Sequence, residues 1–165
     1  MSDDLSQKAK VPPRWFVRSA WSIHRGLYRV TGGRFGLRRP KATRYGMMRL
    51  TTIGRLSGQE RSVILAYFED GPNLVTMAMN GWADDEPAWW LNLQAQPEAT
   101  VVLPDGRRHV RGRVTTGEER SRLWDRWREI DANLDGYAAL RSGETAVVVL
   151  EPLPEPRDTD LDRPG

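Results

Sequence analysis

From Leu50 to Val63 the chain reads Leu-Thr-Thr-Ile-Gly-Arg-Leu-Ser-Gly-Gln-Glu-Arg-Ser-Val, two apolar runs joined by a short cationic turn bracketed by glycines. Arg55 and Arg61 each carry a planar fork that can hold a phosphate or carboxylate through two hydrogen bonds. Ser57 adds a hydroxyl, and the amides of a tight turn add further donors. Gly54 and Gly58 allow backbone conformations that a Cβ disfavours and allow a ligand to come close. Together these residue types describe an anion site. A plain β-hairpin loop with solvated arginines fits the same residues, so the remainder of the chain has to decide between the two.

Most other chemistries are excluded by what the sequence lacks. There is no cysteine among the 165 residues, so no disulfide framework and no thiolate nucleophile or metal ligand can be assembled. His24 and His109 stand far apart and in no ligand-spaced cluster, so no metal site is expected. No Gly-x-Gly-x-x-Gly or Gly-x-x-x-x-Gly-Lys motif occurs, and Gly54 to Gly58 does not space its glycines as a hydrolase elbow requires. The charge is uneven. Residues 1–61 hold 14 Lys and Arg against 3 Asp and Glu, a balance of +11, while the rest of the chain is at −8. The basic half contains the candidate anion site, and its field attracts polyanionic ligands, anionic lipid or nucleic acid without choosing among them.

The elements that must position these residues follow from pattern. With 39% hydrophobic residues the chain can build one core, so a single domain is expected over residues 11–151, between a disordered start at 1–10 and a proline-rich disordered tail at 152–165. Pro12-Pro13 opens a helix to about Val30 that places Arg14, Arg18, Arg25 and Arg29 on a stripe opposite apolar residues. Such a helix either docks on its own core or lies on an anionic membrane surface, and both readings stay open here. A basic loop, Arg34 to Arg44, could run along the same groove as Arg55 and Arg61. The strands expected are 47–53, 63–68 and 74–79 as a meander, 99–103 and 107–115 as a second hairpin, and 145–150. On the fifth, Val110 and Val114 share the face opposite His109, Arg111 and Arg113. A helix at 88–94 follows a loop with capping aspartates, and Thr116-Gly-Glu-Glu119 reads as a capping box for a helix burying Leu123, Trp127, Ile130 and Leu134. The count gives an α+β fold with about six mainly antiparallel strands in a small barrel-like sheet, an N-terminal amphipathic helix and two further helices.

Leu50 to Gly58 with Arg61, then Asn80-Gly81, then Pro87-Ala-Trp-Trp-Leu-Asn-Leu93 with Pro97, and Val147-Val-Val-Leu-Glu-Pro152, occur in this order and together resemble the deazaflavin (coenzyme F420)-dependent nitroreductase family. The resemblance runs from about Tyr28 to Pro152. It implies a split β-barrel of the FMN-binding type that takes reduced F420, in preference to FMN, and passes a hydride to an organic acceptor.

The same resemblance assigns roles. Arg55, Leu56, Ser57, Gly58, Arg61, Ser62 and Val63 match the phosphate-cradling turn, Met77, Ala78, Met79 and Asn80 match the segment against the deazaflavin ring, and Trp89 and Asn92 match positions near the cofactor. Core packing is the other role open to Trp89, and both could hold together. Tyr137 matches one of several tyrosines on the substrate side and is the candidate proton or hydrogen-bond donor, whereas Leu134 and Leu140 stand where two others align. Leu56 replaces a usual Lys or Arg, Trp82 a usual Gly, and Met79 the Ser of some members. A substrate pocket formed by Met79, Trp82, Leu134, Tyr137 and Leu140 is therefore expected to be apolar and narrow, suited to a quinone or enone before a small nitro compound. The alternatives are an F420- or flavin-binding protein without efficient turnover, or a basic membrane-surface module; no nucleic-acid motif is present. A monomer or homodimer is expected. The acidic start and the lack of an 18-residue apolar run predict a cytoplasmic protein, at most peripheral at the inner face of the cell membrane.

Overall fold

Alternation is the dominant pattern of the folded chain, and it produces six antiparallel strands. The computed structural model describes residues 36–155. Its elements, in order, are β1 (Gly46–Ile53), β2 (Glu60–Asp70), β3 (Asn73–Met77), α1 (Ala88–Ala95), β4 (Glu98–Leu103), β5 (Gly106–Val114), α2 (Gly117–Ile130), α3 (Leu134–Ala138) and β6 (Val147–Pro152). In β1 buried and half-buried residues alternate along the whole strand, the signature of a sheet with one face on a core. The strands close into a barrel in the order β1-β2-β3-β6-β5-β4, with β1 pairing β4 through Arg49, Leu50 and Thr51 opposite Val102, Val101 and Thr100. The expected meander and second hairpin are present as β1–β3 and β4–β5. Each strand thereby has a neighbour on both sides, β3 pairing β2 along Phe68–Asp70, which reduces the template for intermolecular pairing that an open sheet leaves.

Two apolar clusters result. One fills the barrel interior with Met48, Leu50, Leu65, Tyr67, Leu74, Val101, Leu103, Val110, Val148 and Leu150, and is plugged by Trp89, Trp90 and Leu93 of α1. The close seat of α1 needs Gly112 on β5, where a Cβ would come within 2.9 Å of Leu93 Cδ1. The other lies outside the barrel wall, where α2 and α3 cover Phe68, Val75, Met77, Val147 and Val149 with Leu123, Trp124, Trp127 and Leu134. β3 and β6 therefore bury both faces, and read as continuous apolar runs for that reason.

On the Val110–Val114 face of β5, Val110 is buried and Val114, at the end of the strand, is exposed. Several expectations are corrected. The helix after Thr116 stops at Ile130, and Leu134 is buried from α3 instead. Thr116 makes no side-chain cap, because Glu119 is held at 2.8 Å through both oxygens by Arg113 from β5. Asp84 does not cap α1 either: its carboxylate accepts from the amide and hydroxyl of Ser142. The described part of the basic loop, from residue 36 on, is not beside Arg55 and Arg61. Arg38 pairs backbone with Met47 at the start of β1 and lies over the Tyr45 ring, and Arg39 bonds Asp105 at the β4–β5 turn. The eight residues of β1 separate that loop from the β1–β2 turn by roughly 20 Å. Pro152 is the last residue of β6, and the Leu153 amide donates to His109 O, so pairing continues past the expected start of the tail. The N-terminal helix and residues 1–10 lie outside the described residues.

The Arg113 fork holds the Glu119 carboxyl below its ordinary range, chiefly through the side-chain hydrogen bonds. A depressed folded-state pKa gives stability that is present above the unfolded value near 4.3 and lost as pH falls through the folded one. Both side chains are more than a third exposed, so Glu119→Gln should lower stability by only about 0.5–1 kcal/mol at pH 7. In urea titrations the gap to wild type should begin to narrow as pH falls below the unfolded value near 4.3 and close only once it has passed the depressed folded-state value, where the native carboxyl is protonated.

Candidate functional site

Antiparallel pairing brings the β1–β2 turn, the C-terminal end of β3, the loop after it and α1 to one rim of the barrel. The turn is closed by Gly54 N–H to Gln59 O at 2.8 Å and Gly58 N–H to Gly54 O at 2.7 Å. Gly58 has φ +67°, a conformation that L side chains avoid. Gly54 is required for space: a Cβ there would meet Ser57 Oγ at 2.7 Å. Ser57 Oγ accepts from the Gln59 amide at 3.3 Å and from Arg61 Nη2 at 3.5 Å, leaving its own proton for a ligand. Arg55, Leu56, Ser57, Gly58, Arg61 and Ser62 are all exposed, Leu56 at 88%. Ser62 Oγ shares a hydrogen bond with Thr51 Oγ1 and Val63 packs against the barrel core, so these two support the turn and the cations project from it.

Asn92 explains why the turn is fixed. Its side chain is buried, yet both halves of its amide are used: Oδ1 accepts from the Arg55 amide at 3.1 Å and Nδ2 donates to Thr52 Oγ1 at 3.1 Å. A buried amide is tolerated only when so satisfied, and each such bond contributes about 1 kcal/mol net. α1, anchored by its two tryptophans in the core, thus sets the backbone of the anion turn from behind. Trp89 is 6% exposed and packs in the barrel core, one of the two roles open to it.

Met77 and Ala78 are buried, Met79 half-buried and Asn80 exposed, so the chain emerges onto the rim across these four residues. Beyond them Gly81 and Trp82 take φ +57° and +61°. For tryptophan this left-handed backbone costs about 1–2 kcal/mol. Its ring stacks on Tyr137 of α3, centroids 5.9 Å apart and planes 23° apart, and packs against the outer core, which offsets the cost. Trp82 and Tyr137 are therefore one aromatic unit. Leu140 is exposed and Leu134 is 1% exposed within the outer core, so of the expected pocket residues Leu134 does not open onto a surface.

Sequence reasoning missed Arg141. Its buried guanidinium reaches Ala78, Ala83, Asp84 and Glu86, 55 to 63 residues away, and Asp84 accepts from Ser142 next to it. In sequence it sits in Leu-Arg-Ser-Gly-Glu, a stretch with the composition of a solvated loop, and no spacing rule signals so distant a partner.

The rim thus joins an exposed, rigid cationic turn to a partly apolar ledge topped by stacked aromatic rings. Its donor set suits a ligand with a phosphate and a planar ring system. Comparison with known proteins agrees. An F420H(2)-dependent quinone reductase of Mycobacterium tuberculosis is 31% identical over 144 residues, covering 83% of this chain and 95% of that protein. A solved F420-H2 dependent reductase (FDR-A) superposes with TM-score 0.58 at 26% identity, over 64% of this chain and 93% of its own. A solved domain-swapped dimer superposes with TM-score 0.62 at 27% identity, over 85% and 100%. The split-barrel fold and deazaflavin dependence implied by the sequence motifs are thereby borne out. The family model described as F420H(2)-dependent quinone reductase matches residues 21–152, and with that match over most of its length the chain belongs to the F420H(2)-dependent quinone reductase family.

Proposed function

We propose that this F420H2-dependent oxidoreductase holds its cofactor's phosphate at the β1–β2 turn and reduces an apolar, conjugated acceptor, a quinone or enone, beside Trp82 and Tyr137. The observation that carries the reading is the exposed Arg55–Arg61 turn, fixed from behind by Asn92 on the same rim as the end of β3 and the Trp82–Tyr137 stack. Reduced F420 supplies the hydride when bound. The chain's part is to bind, orient and exclude water.

In this reading Arg55 and Arg61 clamp the phosphate by paired charge-assisted bonds, the Ser57 hydroxyl donates a further bond, and Gly58 lets the backbone approach. Met77, Ala78, Met79 and Asn80 form the ledge for the ring, with Asn80 as its polar end. Asn92 acts through the turn it holds, and Trp89 through the core that seats α1. On the acceptor side Met79 and Trp82 supply apolar surface, Leu140 lies at the margin, and the Tyr137 hydroxyl is the candidate donor of a hydrogen bond or proton to the reduced oxygen. Trp82 narrows this side, which favours flat conjugated rings over small polar nitro compounds.

The domain extends from residue 11 through the pairing of Leu153 in the same reading, and a homodimer is favoured because a similar solved protein is a domain-swapped dimer. The arginine stripe at Arg14, Arg18, Arg25 and Arg29 would bring the enzyme to anionic lipid, where apolar quinones reside. Among the described residues no helix is long and apolar enough to cross a membrane. Flotation with anionic liposomes should require those four arginines, and flotation unaffected by replacing them removes the membrane proposal.

Replacing Arg55 and Arg61 together by alanine should weaken F420 binding at least about 100-fold, from about 1.5–3 kcal/mol per charge-assisted bond lost. The thermal midpoint should stay within a few degrees, because both side chains project into solvent. Fluorescence titration with F420, FMN and FAD decides this, and tight binding of FMN alone overturns the reading. Bound F420H2 that no quinone oxidises would instead favour a cofactor-binding protein without turnover. Trp82→Gly should raise turnover of small nitro compounds relative to a menaquinone analogue by about tenfold or more, the scale of one lost apolar contact. Equal rates on the two acceptor classes in wild type would contradict the acceptor assignment.

A further inference from the structure

Between the end of β3 at Met77 and the start of α1 at Ala88 the chain has no regular structure, and its own backbone bonds are few. Ala78 N–H donates to Ala146 O, Met79 N–H to Met77 O and Ala83 N–H to Asn80 O. This loop nonetheless holds Gly81 and Trp82 in consecutive left-handed conformations, one of them unfavourable for its side chain. Something outside the loop has to hold it.

That something is a single guanidinium. Arg141 follows α3 directly, its amide bonded to Ala138 O, and only 1% of its side chain is accessible. Nη1 donates to Ala78 O at 3.2 Å and to Thr145 Oγ1 at 2.9 Å. Nε donates to Ala83 O at 2.9 Å, and Nη2 to Asp84 O at 3.4 Å and Glu86 Oε1 at 3.3 Å. Three carbonyls on both sides of Trp82 are thus satisfied by one planar fork. Asp84 Oδ1 accepts from Ser142 N–H at 2.7 Å and from Ser142 Oγ at 3.1 Å, fastening the loop a second time to the same short segment. The segment after α3 holds the backbone of the Trp82 loop, and α3 itself carries the Tyr137 ring on which Trp82 stacks. Lysine could not do this, because an ammonium is a point charge without the fork's spread of donors.

We propose that Arg141 is the positioning residue of the acceptor side: its buried fork keeps residues 78–86 in the strained state that lays Trp82 on Tyr137 and so sets the shape offered to the acceptor. That this side meets the acceptor rests on the function proposed above; the clamp itself does not. A buried guanidinium whose partners, Thr145 apart, all lie on one loop makes the loop's order conditional on Arg141.

The test is a double-mutant cycle between Arg141→Gln and Trp82→Gly, with Arg141→Lys as the variant that keeps the charge and loses the fork. Hydrogen exchange of the residue 79–86 amides in the cofactor-free protein is read alongside kinetics with a menaquinone analogue. Arg141→Gln and Arg141→Lys should each speed exchange of these amides at least tenfold while β4 and β5 stay protected. They should raise the KM for the acceptor at least fivefold while the F420 dissociation constant changes less than threefold. In the Trp82→Gly background, where glycine takes the left-handed backbone without strain, the effect of Arg141→Gln on exchange should shrink by at least half. Equal effects in both backgrounds, or full protection with lysine, overturn the proposal. If Arg141→Gln does not fold, the lysine variant carries the same cycle. Wild type that fails to reduce any quinone with F420H2 rejects the assigned function, while the exchange data still decide the clamp.

Discussion

Closure of the sheet is the constraint on which everything else rests. Six short strands leave two raw edges unless the first finds the fourth, and the pairing of Arg49, Leu50 and Thr51 with Val102, Val101 and Thr100 supplies that contact. Once closed, the barrel has an apolar interior and an end that must be stopped. α1 stops it with two tryptophans and a leucine. The outer wall at β3 and β6 stays apolar and must be covered, which is the work of α2 and α3. The candidate site is what remains at the rim when both coverings are in place.

At that rim, irregular backbone is held by polar groups that the helices bring in. Asn92, carried by the plug, satisfies Arg55 N–H and Thr52 Oγ1 behind the anion turn. Arg141, carried by the segment after α3, satisfies carbonyls of the loop bearing Trp82. The cationic and aromatic halves of the site are therefore each fixed to a different helix, and through it to a different core. A rigid first half suits retention of one cofactor, and a strained second half suits discrimination among acceptors.

The described part of the basic half of the chain plays a different part from the one its composition suggests. Arg38 and Arg39 are engaged with Tyr45 and Asp105 at the far end of β1. Charge totals locate a field but not its shape, because a strand moves consecutive residues about 3.3 Å apart each and puts the two basic stretches at opposite rims. The acidic residues behave alike: Asp84 and Glu119 looked like helix caps by spacing and are taken by Ser142 and Arg113 instead. Ser142 lies 58 residues from Asp84, while Arg113 is only six from Glu119 but on the neighbouring strand β5; both offer stronger or additional donors, so the local rule lost.

The sequence by itself determined what local chemistry can express. Alternating and continuous apolar runs between turn residues placed the six strands, Gly54 and Gly58 marked a turn of special backbone geometry, and the ordered motifs pointed to a deazaflavin-dependent split barrel. It determined the residue types of the anion turn because those lie within ten positions of one another. Only the tertiary structure decided that β6 inserts between β3 and β5, that Leu134 lies in the outer core and opens onto no pocket, and that Asn92 supports the turn from behind. It alone revealed Arg141. Each of these depends on contacts across dozens of residues, and such contacts are fixed by closing the barrel and satisfying buried polar groups, a condition on the whole chain that no short stretch of sequence can state.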